Sequence, residues 1–363
     1  MSNTILPTQW NDYKWQLANG VHNLKQLYAR LPELKNTGLE AIPGSFPLGI
    51  TPYYLSLIEG DLATDPIALQ CIPSPLEAEE HEEDCVDPLH EEDYSPMPGL
   101  THRYPDRVLL LANSTCAMYC RHCTRKRKVG DSHAVALIHK ALDYIKAHTE
   151  VSDVVISGGD PLLLTNRVID DLLSKLRDIP HVETIRIGSR VPVTLPMRVN
   201  YELINILARY DIILCTQFNH PRELTDVAMG VCRSLANRGV MLLNQTPLLK
   251  GVNDDLATLK ALFKGLIKNK IRPHYLFQCD LNEGTYHFRT NLGDSLDLVE
   301  GLIGHISSIA VPTFSVDLVG GGGKVPVLPT YMAGDPRRPY VKFHNYEMTR
   351  TYEFPNVPPR ELE

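Results

Sequence analysis

From Arg107 to Leu318 the chain alternates short apolar runs rich in β-branched residues with longer stretches whose apolar positions recur at helical spacing. The runs RVLLLAN (107–113), VVIS (154–157), TIRIGS (184–189), IILCTQF (212–218), VMLLNQT (240–246), PHYLFQC (273–279) and FSVDL (314–318) predict strands. Helices are predicted between them over 134–148, 167–177, 201–210, 223–238, 256–269 and 296–309. Repeated strand and helix units make an α/β protein with a mostly parallel sheet and right-handed crossovers, doubly wound or closed toward a barrel. Upstream, residues 10–31 have helical apolar spacing. Residues 73–105, with EAEEHEEDCVDPLHEEDYSPMPG at their centre, read as an extended and exposed connection whose acids are solvated. The predicted division is 1–100 (helical region and acidic connection), 101–330 (barrel) and 331–363 (C-terminal tail).

The conspicuous polar residues fall just after the strands. In order they are the cysteine cluster at Cys116, Ser157 to Asp160, Ser189-Arg190, Gln217 to His220, Asn244-Gln245, Cys279-Asp280, and Asp317 with the glycine run behind it. In a β/α barrel such positions converge on one face, where catalysis occurs. The recurrence carries the inference, since one such residue alone means little.

Composition narrows the class. A chain of 363 residues with 43% hydrophobic and 22% charged content is an ordinary globular protein. Its net charge of -7 argues against a nucleic-acid partner, which demands a basic field. The basic run Arg125-Lys126-Arg127-Lys128 therefore needs a local explanation. No apolar stretch approaches the roughly 20 residues of a membrane span, and MSNTILPTQW lacks the features of a signal peptide, so a cytoplasmic protein without membrane contact is expected. Three of the eight cysteines crowd into one short segment, a pattern that favours metal ligation over disulfides.

Those three, Cys116, Cys120 and Cys123, follow the spacing C-x-x-x-C-x-x-C within STCAMYCRHCTRKRK. Thiolates ligate iron-sulfur clusters and zinc, and three of them around a four-iron cluster leave one iron open. The spacing resembles that of the radical S-adenosylmethionine (SAM) superfamily, in which the open iron binds SAM. The competing reading is zinc held by the cysteines with His122 or His133. Ser157-Gly158-Gly159-Asp160 resembles the superfamily's glycine-rich segment at the amino end of SAM, although a GGD tripeptide by itself is a turn.

A second glycine run, Gly320 to Gly323, precedes Lys324. It is not a P-loop, because Val325-Pro326 stands where a hydroxyl residue and a helix would be required. Glycines imply close backbone approach, and Lys324 becomes a candidate Schiff-base amine for an aldehyde cofactor. The alternative is a flexible surface loop with a solvated lysine.

Taken together, WNDYKWQ, TPYYLSLI, DPLHE, PGLTHRYPDRVLLL, CRHCTR, IRIGSR, FNHP, QCDLNEG, HFRT and GGGGK resemble the lysine 2,3-aminomutase family almost end to end. That resemblance implies a partial (β/α) barrel of the radical SAM type with an N-terminal helical extension, and three cofactors: a 4Fe-4S cluster, SAM and pyridoxal 5'-phosphate (PLP). It implies cluster ligation by Cys116, Cys120 and Cys123, and PLP attachment at Lys324. Arg103, Tyr104 and Arg107 are expected near PLP, and Ser157, Gly158, Gly159, Asp160, Gln217 and Gln245 around the cofactors. Arg125 is implied to hold the substrate carboxylate, which would explain the basic run while leaving its lysines solvated. Asp280 and Asp317 would hold the distal ammonium, as a cation removed from water requires.

The implied reaction is radical transfer of the α-amino group of a basic amino acid, L-lysine first, to the β-carbon. Arginine 2,3-aminomutase is the alternative within this chemistry, and a zinc- or nucleotide-binding protein the alternative outside it. The implied partners are a small amino-acid substrate, an electron donor such as flavodoxin or ferredoxin, and further copies in a homo-oligomer. The chain departs from the family in several places. No cysteine follows Cys279, which predicts no structural zinc; Gln217 replaces a histidine, Phe277 a tyrosine, and Leu318-Val319 an Ala-Pro pair.

Overall fold

A computed structural model describes residues 6–42, 46–134 and 136–356. Residues 1–5, 43–45, 135 and 357–363, which belong to the predicted N-terminal region, the 134–148 helix and the C-terminal tail, lie outside the described residues.

Nine strands form one sheet in sequence order: β1 (Leu100–Tyr104), β2 (Arg107–Asn113), β3 (Asp153–Gly158), β4 (Thr184–Gly188), β5 (Ile213–Thr216), β6 (Met241–Leu248), β7 (Arg272–Gln278), β8 (Thr313–Leu318) and β9 (Gly323–Pro326). Strands β2 to β8 are parallel, while β1 and β9 lie antiparallel at the two ends. No ladder joins β1 to β9 in this order, yet the Lys324 backbone N–H donates to the Tyr104 hydroxyl at 3.1 Å. A side chain thus bridges the two edges and the sheet curls into a partial barrel.

The two-residue period of a strand sorts its side chains onto two faces. On β3, Val154 and Ile156 are buried under the helices, while Asp153, Val155 and Ser157 line a central cavity. On β8, Phe314 packs outward and Thr313, Ser315 and Asp317 point to the cavity. Helices Asn166–Arg177, Tyr201–Arg209, Asp226–Asn237 and Leu256–Lys268 cover the outer face through Leu172, Leu173, Leu207, Leu235, Leu259 and Leu262. Each starts where a polar side chain accepts from its first turn: Thr165, Asn200, Thr225 and Asp255.

These caps explain departures from the predicted bounds. The helix expected from 223 begins at Asp226 because Pro221–Glu223 is a separate 3₁₀ turn ahead of the Thr225 cap. The stretch 296–309 yields Leu292–Glu300 behind its Asn291 cap, while 134–148 yields Ile138–Ala147 with no side-chain cap at its start. Residues 10–31 break into Pro7–Trp10, Tyr13–Ala18 and Leu24–Arg30, interrupted by caps at Asp12 and Asn23.

Two larger differences concern the flanks. Residues 73–105 are no extended, solvated connection: they form 3₁₀ turns at Pro75–Ala78 and Glu92–Tyr94, supply β1, and bury several of their acids in ion pairs. The C-terminal tail carries a meander of β10 (Met332–Ala333), β11 (Tyr340–His344) and β12 (Thr351–Pro355). Among the described residues no helix is long and apolar enough to cross a membrane.

Candidate active site

At the carboxyl ends of the parallel strands lies a cavity of about 930 Å³ lined from every strand of the barrel. That is the upper end of the range for ligand pockets, with room for more than one small molecule. Every residue singled out from the sequence as a site residue lines it.

The cysteine loop leaves β2 and is pinned by β3. Gly158 has φ of +134°, and a Cβ there would sit 2.0 Å from the Asn113 carbonyl oxygen; one at Gly159 would sit 2.4 Å from that of Thr115. Only glycine lets the two segments touch, so that the N–H groups of Gly159 and Asp160 can donate to Asn113 and Thr115, just ahead of Cys116. The Asp160 carboxylate is already spent. It accepts from the Ser189 hydroxyl (2.7 Å) and from the backbone of Leu162, Arg190 and Val191. Its side chain ties β3 to the segment after β4, and its backbone is bonded to Thr115 and Asn113.

The basic run is held by the acids that the sequence reading left in solvent. Glu77, 4% exposed, accepts from Arg121 Nε at 2.8 Å and from Lys126 Nζ at 3.2 Å. Burial pushes its carboxyl upward, but Arg121 and Lys126 outweigh that and hold it below the usual range. Glu91, 6% exposed, takes Arg125 Nε at 3.0 Å and lies within 3.4 Å of Arg127 and Lys128. Here too burial opposes ionisation, and the three cations override it, bringing the carboxyl down to about 2. The two lysines are therefore not solvated, at 14% and 12% exposure. The pairings join residues 34 to 49 positions apart, and no local pattern signals them.

The glycine run is a tight hairpin rather than a flexible loop. Left-handed Gly320 and Gly321 reverse the chain so that β9 returns along β8 and sets Lys324 opposite Asp317. Lys324 Nζ donates to both Asp317 oxygens, at 2.9 and 2.7 Å, and lies 3.8 Å from the centre of the Phe277 ring. Asp280 faces the same space. It accepts from the Thr124 hydroxyl at 2.7 Å, and burial, reinforced by the Asp317 charge, raises its carboxyl to about 6.

On the other side, the Arg103 guanidinium rests between the Tyr94 and Tyr104 rings and donates through Nη1 to the Leu89 carbonyl at 3.2 Å. Arg107 stacks on Tyr104 while pairing with Asp106 at 2.9 Å. Gln217 lies 3.0 Å from His122 Nε2, and Gln245 lines the wall between them and β7. The ring of His122 is buried, which together with Arg190 and Lys126 holds it well below its ordinary pKa and thus neutral. With Nε2 accepting the Gln217 amide, the proton sits on Nδ1.

Four buried polar atoms on this cavity have no protein partner: Arg103 Nη2, His122 Nδ1, Thr216 Oγ1 and Ser315 Oγ. Buried polar groups left unpaired are costly, so a wall carrying four of them fits polar ligands. Arg103 Nη2, 3.7 Å from where a Cβ on Gly323 would sit and close to Lys324, suits the phosphate of an aldehyde cofactor. Burial raises the Cys116 thiol well above its ordinary range, helped by Asp160, Cys123 and Cys120, and burial with Cys120 nearby brings that of Cys123 to about 11. Among the described residues no three His, Cys, Asp or Glu side chains are grouped to hold a single metal ion. His122 is engaged by Gln217 and His133 is exposed on the turn Ser132–Ala134, so neither histidine stands with the three cysteines as a fourth zinc ligand, and three thiolates are the donor set that leaves one iron of a four-iron cluster open.

Comparison with known proteins adds the following. A family model described as lysine-2,3-aminomutase matches residues 299–357. The L-lysine 2,3-aminomutase of Clostridium subterminale is 48% identical over 90% of this chain and 80% of its own length. That of Fusobacterium nucleatum is 47% identical over 97% of this chain and 84% of its own. A glutamate 2,3-aminomutase from Clostridioides difficile is 41% identical over 95% of this chain and 81% of its own.

Proposed function

Because this chain belongs to the lysine 2,3-aminomutase family, we propose that it is a radical SAM enzyme that moves the α-amino group of L-lysine to the β-carbon, using a 4Fe-4S cluster, SAM and PLP. The observation that carries the substrate is that one cavity is lined both by the Arg125 guanidinium and by two carboxylates, Asp280 bonded to Thr124 and Asp317 paired with Lys324. Lysine has a carboxylate for the first and a distal ammonium for the second. A glutamate in the same pose would press its side-chain carboxylate against two others, a like-charge contact that costs several kcal/mol.

In this reading Arg125, fixed at Nε by Glu91, turns its terminal nitrogens to the substrate carboxylate. Asp280 and Asp317 accept the distal ammonium. Lys324 is the amine that holds the aldehyde of PLP, Arg103 Nη2 takes a phosphate oxygen, and Tyr104 and Arg107 bound the cofactor's end of the cavity. Cys116, Cys120 and Cys123 ligate three irons; the Ser157–Asp160 backbone, Gln217 and Gln245 surround SAM. The chemistry these groups supply when bound is hydrogen-atom abstraction at an unactivated carbon and delocalisation of the unpaired electron that results. The protein contributes orientation and exclusion of water. A one-electron donor of the flavodoxin or ferredoxin kind, a homo-oligomeric assembly and a cytoplasmic setting belong to the same proposal.

The test is anaerobic incubation of protein loaded with iron, sulfide and PLP, with SAM, dithionite and L-lysine, L-arginine or L-glutamate, followed by chromatography and mass spectrometry. β-Lysine is the expected product. Preferential β-arginine or β-glutamate would move the substrate, and no β-amino acid from fully loaded protein would overturn the proposal.

A further inference from the structure

Arg190, which follows β4 and was singled out from the sequence without a role, is buried with every guanidinium nitrogen engaged. Its Nη1 donates to Cys120 Sγ at 2.9 Å, and its Nε to the Gln217 carbonyl at 3.1 Å. Nη2 meets Glu223 Oε1 at 2.7 Å, the Tyr54 hydroxyl at 3.3 Å, and Gln70 Oε1. Glu223, 0% exposed, is fixed in turn: Tyr54 donates to Oε1 at 2.6 Å, and the backbone N–H groups of Asn219 and His220 donate to Oε2. Tyr54 and Gln70 come from the N-terminal region and Glu223 from the turn after β5, so three separate segments converge to aim one cation at one sulfur.

A buried ion pair needs further satisfied hydrogen bonds to be tolerated, and this one has them. Holding the loop alone would be met by a neutral donor to Cys120. A charged donor has an additional consequence. Hydrogen bonds to cluster sulfurs help set the reduction potential, and a cationic donor favours the reduced cluster, which carries one more negative charge. Because Arg190 and Glu223 are buried, that effect is amplified.

Resting on the reading of Cys120 as a cluster ligand, we propose that Arg190 is a positioning residue that raises the reduction potential of the cluster by donating a charge-assisted hydrogen bond to Cys120 Sγ, with Glu223 holding it in place and moderating its charge. The two members of the pair then act with opposite signs. Glu223 lies behind the guanidinium, farther from the sulfur, so the pair as a whole still presents its positive end to the cluster.

The experiment measures iron and sulfide content and then the one-electron midpoint potential, by dye-mediated titration without SAM or PLP. The full chain is compared with Arg190→Gln, Glu223→Gln and the double variant. Arg190→Gln is expected to make reduction on the order of tenfold less favourable, a shift of about 59 mV to the negative for one electron. Glu223→Gln is expected to shift positive. The double variant, which leaves no unpaired buried charge and so guards against misfolding of the single one, should lie below the parent. Potentials within the parent's in both Arg190 variants would overturn the proposal, as would loss of iron from both, which would assign Arg190 to holding the loop alone. A parent chain that binds no cluster would instead refute the functional reading on which the proposal rests.

Discussion

Replacing Asp280 with asparagine is expected to stabilise the ligand-free protein while damaging its function. Burial, with Asp317 nearby, raises the Asp280 carboxyl from 3.8 to about 6 in the folded chain. A carboxyl raised on folding binds its proton more tightly in the native state than in the unfolded one, so native stability falls as pH rises between the two values. Above pH 6 the penalty is complete, and roughly two pKa units amount to about 3 kcal/mol. Asparagine resembles the protonated acid, and its oxygen can still accept from Thr124. For a chain of this size about 3 kcal/mol corresponds to a rise of roughly 4 °C in Tm.

The pH dependence separates this cause from generic repacking. At pH 5 the aspartate of the native state is mostly protonated and that of the unfolded state is not. The advantage of the variant should then shrink to about half. The assay is chemical or thermal denaturation of PLP-free parent and Asp280→Asn at pH 8 and pH 5. In the same variant kcat/KM for lysine should drop roughly ten- to hundredfold, the worth of a hydrogen bond between charged partners. A variant no more stable than the parent at pH 8, or one whose advantage does not contract at pH 5, would refute the view that this carboxylate is held at the expense of folding in order to meet a cation.

Glu91→Gln should do the reverse, because the Glu91 carboxyl is lowered to about 2. Its stabilisation is complete above the ordinary carboxylate value and fades as pH falls toward 2, so the variant should lose roughly 3 kcal/mol in denaturation at pH 7 and raise KM for the amino acid as Arg125 loosens. Gly158→Ala places a Cβ 2.0 Å from the Asn113 oxygen at a φ of +134°, and is expected to abolish iron loading in reconstitution while far-ultraviolet circular dichroism is kept. Lys324→Arg keeps a cation for Asp317 but offers no amine for an aldehyde. Its Tm should stay near the parent's, and borohydride treatment should fix no PLP to the chain.

How far the sequence could be read follows from how local each determinant is. Strands β2 to β8 were legible because each carries a short run of β-branched, aliphatic or aromatic residues bounded by polar or turn residues. Strands β1 and β9 were not, since LTHRY and GKVP are polar or glycine-rich and become strands by pairing with β2 and β8 at the sheet's ends. The meander after residue 331 is hidden for the same reason. Helix starts slipped by as many as four residues: the Thr225 cap lies inside its predicted span, the Asn291 cap ahead of its own, and Ile138 starts with no side-chain cap. The residues that line the cavity were visible because strand ends carry them, but their partners were not. Nothing around Glu77, Glu91, Gln70 or Glu223 indicates which cation each will meet.

The acidic segment shows what that blindness hides. Read alone, 73–105 is a solvated acidic stretch and 125–128 a basic patch in a negatively charged chain, with nothing local to connect them. Folded, they neutralise each other across the cluster loop, with Glu77 and Glu91 inside and Arg127 also bridged to Asp87 at 2.7 Å. Because Glu91 occupies only the Nε side of Arg125, most of the basic run is internally neutralised while the terminal nitrogens of one guanidinium are left for a ligand. Without the acids four adjacent cations would repel one another and attract any anion. With them most of that charge is neutralised inside the fold, and Arg125 lines the cavity held at Nε by Glu91. The acids of the connection are thus as much a part of the site as the arginine they orient.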